Sequence, residues 1–103
     1  MKLIRTFHPV GHGAFYTERF YNEQDNILFT AVFDCGCFEA AKPGCNAQFY
    51  EKQIATVIQK GFTKGDTIDV LFISHFHTDH INGVKFLLKY CDVKHIYIPI
   101  LTP

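Results

Sequence analysis

The sequence predicts an α/β fold, a mixed sheet with helices on one face and elements in the order β-β-β-α-β-α-β. Three observations carry this. Residues 27–33 and 68–73 are short, predominantly apolar runs, the pattern of inner strands buried on both faces. Stretches 47–60 and 80–90 repeat apolar residues at helical spacing and lie between strand-like segments. The run Asn22-Glu23-Gln24-Asp25-Asn26 is dense in turn formers, which makes the first three strands an antiparallel meander. At 103 residues the chain is one domain at most, able to close a modest core.

The elements follow in order. Residues 2–7 alternate, with Leu3, Arg5 and Phe7 on one side and Ile4 on the other, and Gly11-His12-Gly13 ends the run. Residues 14–21 are aromatic-rich and strand-like, and 27–33 form the third strand, ended by Asp34-Cys35-Gly36. A loop with Pro43-Gly44 leads to a helix over 47–60, whose apolar stripe is Phe49, Ile54, Val57 and Ile58. Gly61 stands at its C′ position. Lys64-Gly65-Asp66 makes a turn before the strand over 68–73. Ile81, Val84, Leu87, Leu88 and Cys91 then define a helix starting near Asp79, with Thr78 or Asp79 as its cap. A last strand over 94–98 stops at Pro99. Two helical crossovers imply parallel, right-handed connections. The helices then cover one sheet face, and the other exposes many apolar side chains.

Chemistry concentrates in Ser74-His75-Phe76-His77-Thr78-Asp79-His80, directly after the second apolar strand. Neutral imidazole and carboxylate are the donors that hold zinc and related divalent ions. His75 and His77, two apart, share a side of an extended segment. Asp79 and His80 come from the next turn and can reach the same ion or a second beside it. The alternative is chance clustering on a solvated loop. Against it, three of the chain's six histidines fall here with an acid among them.

If strands 27–33 and 68–73 are parallel, Asp34 and His75 lie at the same carboxyl edge, where such sheets place ligands. The meander brings Gly11-His12-Gly13 to that edge too. Asp34 has two readings, a carboxylate that accepts the far N–H of a ligand histidine or an acceptor of backbone N–H groups in its own turn. His12 would line a substrate mouth or simply be exposed, and His8, at a strand end, has a weaker claim. His95 is the nearest spare imidazole, but it starts its strand where His75 follows the end of a parallel one. Four or five residues at about 3.3 Å each separate them by on the order of 15 Å, too far for a shared ion.

The H-x-H-x-D-H pattern after a buried strand resembles the signature of the metallo-β-lactamase fold hydrolases, matched by His75, His77, Asp79 and His80. The resemblance implies that His75 and His77 help hold one metal while Asp79 and His80 help hold a second. A dinuclear-metal hydroxide would then attack a phosphoester, ester, thioester or amide. Zinc is the expected ion, with manganese or iron as alternatives. Asp79 would also be catalytic, steering the nucleophile or protonating the leaving oxygen, with Asp34 in a support role. The N-terminus of helix 80–90 would favour a phosphate. Val10-Gly11-His12-Gly13, Asp34-Cys35-Gly36 and the 74–83 stretch are most similar to the DNA-uptake competence-type branch. His12 replaces that branch's usual glutamine. This implies a phosphodiesterase or nuclease. The alternatives are a thioester, lactone or glyoxalase-type hydrolase, or a non-catalytic assembly module with vestigial ligands.

The family's remaining ligands, found later in its chains, have no match before Pro103. Residues 1–103 therefore correspond to a single partial domain, the first half of the family's αββα sandwich. The expected partner is the C-terminal half, from the same polypeptide or a second chain, with a nucleic acid or nucleotide as possible substrate. Alone, these residues are expected to bind metal weakly and show little activity.

Composition excludes other classes. Ten basic and ten acidic residues give zero formal charge, which argues against a broad basic nucleic-acid surface. No stretch approaches the roughly 20 apolar residues that span a bilayer, and the first residues lack a signal-peptide core. A cytoplasmic location without membrane contact is the default. Cys35, Cys37, Cys45 and Cys91 have three possible pairings, and Cys35-x-Cys37 with Cys45 is a conceivable zinc site of unusual spacing. Reduced, partly buried thiols fit a reducing compartment best.

Overall fold

The polar turn between the second and third strands shows how the sheet starts. The Asn22 side-chain oxygen accepts N–H bonds from Gln24 and Asn26 at 2.9 and 3.0 Å, and Asp25 takes the left-handed conformation at φ 61°. Such local bonds let short polar residues replace ladder pairing in a turn. A computed structural model describes residues 1–10, 13–36, 47–74 and 81–98. Strands β1 (Lys2–Phe7), β2 (Phe15–Tyr21) and β3 (Ile27–Cys35) form the antiparallel meander. Helix α1 (Ala47–Gly61) and helix α2 (Val84–Tyr90) flank β4 (Thr67–Ile68) and β5 (Val70–Phe72). Strands β6 (Asp92–Val93) and β7 (Ile96–Tyr97) follow.

The main sheet is mixed, in the order β1-β2-β3-β5-β7, with β5 parallel to both β3 and β7. A separate ladder pairs β4 with β6. The expected single strand over 68–73 is broken in two, and of that expected over 94–98 only Ile96–Tyr97 is strand, with β6 lying just ahead of it. The cause of the break is Asp69, whose carboxylate takes the Thr30 N–H at 2.7 Å while its own N–H bonds to the Thr30 carbonyl at 2.9 Å. A side chain thereby occupies a ladder position that the next strand residue would otherwise hold. Bonding continues past the break, with Lys94 N–H to the Ile68 carbonyl and Leu71 N–H to the His95 carbonyl, each at 2.9 Å.

Both helices pack on one sheet face. Phe15, Val32 and Leu71 meet Ile54 and Ile58 of α1 and Leu87 of α2 in one buried cluster. Phe49, expected in the α1 stripe, is instead 43% exposed. Gly61 ends the helix, but no left-handed turn accounts for it. A Cβ there would come within 2.8 Å of the His8 ring. The Arg19 guanidinium donates to the Gly61 carbonyl at 2.9 Å and lies 4.5 Å over the Phe62 ring, so a cation meets the negative end of α1.

The face away from the helices carries an aromatic ladder. Phe7, Tyr16, Phe33, Phe72 and Tyr97, one from each strand, sit in ring contact at 4.6, 5.5, 4.9 and 5.3 Å across the sheet. Phe7 is 83% and Tyr97 58% exposed, so the second face is apolar and uncovered, as the sequence predicts.

Candidate metal centre

Parallel pairing of β3 with β5, with Phe33 opposite Phe72, brings the carboxyl ends of both strands to one edge. A β-bulge lies there. Phe15 pairs with Cys35 and Tyr16 with Phe33, which leaves Asp34 as the extra residue, held at φ 58°. A bulge re-aims the side chain it carries, and Asp tolerates the left-handed region better than most residues do. The consequence is a two-point grip. The buried Asp34 carboxylate accepts the Ser74 N–H at 2.7 Å through one oxygen and the Ser74 hydroxyl at 2.5 Å through the other. Of the two readings for Asp34, the one seen among the described residues is acceptance of a backbone N–H, from the strand alongside and not from its own turn.

Ser74 directly precedes the four predicted ligands. His75, His77, Asp79 and His80 lie outside the described residues, as do the proposed caps Thr78 and Asp79. The chain re-enters at Ile81, and at Gly83 its N–H donates to the Cys35 carbonyl at 2.8 Å. A Cβ on Gly83 would fall 2.4 Å from the Ile54 side chain and 2.8 Å from Cys35 Sγ. A turn at Asn82 and Gly83 separates the helical Ile81 from α2, and the predicted helix start near Asp79 lies outside the described residues. The phosphate site suggested at that helix N-terminus lies outside them too.

The β1–β2 connection reaches the same edge, where the Gly36 N–H bonds to the Ala14 carbonyl at 3.0 Å. His12 itself lies outside the described residues. An open cleft of about 330 Å³ runs along the rim, lined by Asp34 and Ser74 together with Phe33, Phe72, Ile73, Tyr97 and Ile98. His95 sits at the start of β7, next to the Leu71–Ile96 pair and away from this rim.

His8 proves to be part of the packing. Its ring stacks on Phe15 at 3.9 Å, and Nε2 lies 2.7 Å from the Thr17 hydroxyl. Burial, and then the nearby Arg19 charge, lower its pKa to about 4. Cys35 and Cys91 are buried and free, while Cys37 and Cys45 lie outside the described residues. Burial, and then the Asp66 charge, push the Cys91 thiol up to about 11, which keeps it protonated and inert. The features that sequence reasoning missed are the paired acceptors of Asp34, the Cys35 carbonyl and the crowded Gly83. Only the glycine three residues after His80 offered a signal.

The donor set of His75, His77, Asp79 and His80 suits a borderline divalent ion in its chemistry. Among the described residues no three histidine, cysteine, aspartate or glutamate side chains gather. The mixed sheet, with its parallel pairing and an Asp-bearing strand end beside this donor run, is the α/β frame expected of the metallo-β-lactamase fold. Residues 29–103 match the model of the metallo-beta-lactamase superfamily, and the chain belongs to that superfamily. Over 32 residues it is 56% identical to Ribonuclease J of Mycoplasma pneumoniae and 53% identical to Ribonuclease J of Mycoplasma genitalium. Each match covers 31% of this chain and 6% of the relative, so the shared region is a small part of those proteins. No solved structure matches the chain. Among the described residues no helix is long and apolar enough to cross a membrane.

Proposed function

We propose that the chain forms the first half of a metal-dependent phosphodiesterase or nuclease, with RNA or another nucleic acid as substrate. The observation that carries the reading is the carboxyl edge itself. Asp34 fixes Ser74 there, immediately before four metal donors in a superfamily of hydrolases. Similarity to Ribonuclease J supports the phosphodiester class over thioesters and lactones. His75 and His77 would hold one divalent ion, Asp79 and His80 a second, zinc first with manganese or iron as alternatives. Such ions, when bound, lower the pKa of a water and neutralise charge on phosphoryl oxygens. Asp79 would orient the nucleophile or return a proton to the leaving oxygen. Asp34 would keep the donor segment in register through Ser74, and His12 would face the substrate from the β1–β2 connection.

The aromatic face of the sheet is the proposed seat of the C-terminal half, supplied by the same polypeptide or a second chain. That half would also contribute the remaining ligands. The assembled protein, supplied with zinc or manganese, is expected to cleave labelled RNA and bis-p-nitrophenyl phosphate. His77→Ala should lower the rate by at least about a hundredfold, the scale of losing an essential catalytic group. Turnover of a thioester or lactone with none of either phosphodiester would replace this reading by the esterase alternative. A protein that binds no metal would favour the assembly module.

A further inference from the structure

We infer that the cavity at the amino ends of β3 and β5 is a binding site for a basic α-amino acid, lysine or arginine, separate from the proposed metal edge. The cavity measures about 370 Å³, and its lining includes Arg19, Ile27, Leu28, Thr30, Asp66 and Asp69. That size falls within the range of about 300–1,000 Å³ that small-molecule sites occupy. It lies at the sheet edge opposite Asp34 and Ser74. Thr30 precedes Asp34 by four residues on β3, or about 13 Å at about 3.3 Å each.

Its polar groups are only partly engaged by the protein. Arg19 gives Nη2 to the Gly61 carbonyl at 2.9 Å, and its Nε is buried with no hydrogen-bond partner among the described residues. Such orphaned donors are rare in folded proteins and mark places where a water, ion or ligand completes the bonding. Asp69 commits Oδ2 to the Thr30 N–H at 2.7 Å, and Asp66 commits Oδ2 to the Thr63 N–H at 2.8 Å. The Oδ1 of each takes no hydrogen bond among the described residues. Nor does an ion pair join either carboxylate to Arg19 among them.

Charge and donor count select the ligand. One guanidinium against two carboxylates gives the cavity a formal charge of minus one. An α-carboxylate meets Arg19 as a charge-assisted pair, while the α-ammonium and a side-chain cation meet the two aspartates. A ligand of net charge plus one brings the cavity to neutrality, and its methylene stem lies along the exposed Ile27 and Leu28. A phosphate or nucleotide would face two carboxylates, whereas a polyamine or divalent ion would face the guanidinium. An apolar amino acid would leave one aspartate without a partner.

The test is calorimetric titration of the complete protein with L-lysine, L-arginine, their amides and L-norleucine. At least one basic amino acid should bind with a Kd on the order of 0.1–1 mM, a modest affinity suited to about ten heavy atoms in an open site. Its amide, which lacks the carboxylate, and norleucine, which lacks the side-chain cation, should each bind at least about tenfold more weakly. Asp66→Asn and Asp69→Asn keep an acceptor for the Thr63 and Thr30 N–H groups but remove a charge. Each should weaken the basic amino acid by at least about tenfold, with the fold retained by circular dichroism. Binding should persist in chelator, because the cavity lies at the other sheet edge from Asp34 and Ser74. The site is overturned if neither basic amino acid saturates the protein below about 10 mM, or if chelator abolishes binding. It is equally overturned if the amide or norleucine binds as tightly as the basic amino acid, or if both variants bind like the parent. Should one variant fail to fold, the other variant and the amide decide.

Discussion

A histidine at a strand end invites a catalytic reading, yet the environment of His8 assigns it to packing. Its ring lies on Phe15, its Nε2 meets Thr17, and Gly61 leaves it room by lacking a Cβ. Burial and then Arg19 disfavour the imidazolium, taking the pKa from 6.5 to about 4. The unfolded chain therefore takes up this proton first as pH falls. The contribution of His8 to stability is complete above about pH 6.5 and is lost progressively as pH drops toward about 4. The ring is partly open to solvent, so the dependence should be shallower than that of a fully buried group. Urea midpoints at pH 7 and pH 4.5, with chelator present so that metal release does not contribute, should differ more for the parent than for His8→Gln. Equal pH dependence in the two proteins would remove His8 as the source. Nothing near His8 in sequence announced this role, because Thr17, Arg19 and Gly61 reach it only through the fold. The His-rich run, by contrast, was legible at once, since its donors are contiguous.

Elements were legible where their signal was local. Alternation gave β1, the turn formers at 22–26 separated β2 from β3, and the apolar stripe of Ile54, Val57 and Ile58 gave α1 to within a residue. Breaks within elements were not, because each depends on a partner far along the chain. Asp69 splits the strand after α1 by bonding to Thr30, and the bulge at Asp34 arises from the register of β2 on β3. The break between the helical Ile81 and α2 falls at Gly83, pressed on Cys35 and Ile54, and helical periodicity cannot report it. Asp69 shows what such a break is worth. Thr30 is 2% exposed, and its N–H depends on the Asp69 carboxylate. Asp69→Ala would leave that donor buried and unpaired, a loss of about 1–3 kcal/mol. Asp69→Asn retains an acceptor oxygen and should cost clearly less. Chemical denaturation of the two variants checks the order. A null effect of Asp69→Ala would mean that the bond to Thr30 is not what holds the break.

At the scale of the whole molecule, the two sheet faces lead different lives. One is sealed by α1 and α2 over Val32 and Leu71, both 0% exposed. The other presents five aromatic rings in sequence from Phe7 to Tyr97, and Ile4, on the opposite side of β1, adds to the exposed apolar surface of the chain's edge. Contiguous apolar surface of this kind is a docking face or a liability, and its rings already stand in tilted or stacked contact with one another. On β1 and β2 the face has polar relief, where the Tyr16 hydroxyl donates to Glu18 at 2.8 Å and Arg5 lies 3.7 Å from the same carboxylate. The 103 residues expressed alone are therefore expected to bind a hydrophobic dye strongly and to self-associate on gel filtration. Phe72→Lys should reduce both, because it sets a charge amid the ladder between Phe33 and Tyr97. In the proposed two-half protein the same substitution should act in the opposite sense. A lysine buried at the seam without a partner would prevent the halves from joining, at a cost of several kcal/mol, and metal-dependent cleavage would fall with assembly. A substitution that solubilises the short chain yet leaves the complete enzyme assembled and active would show that this face is not where the second half sits.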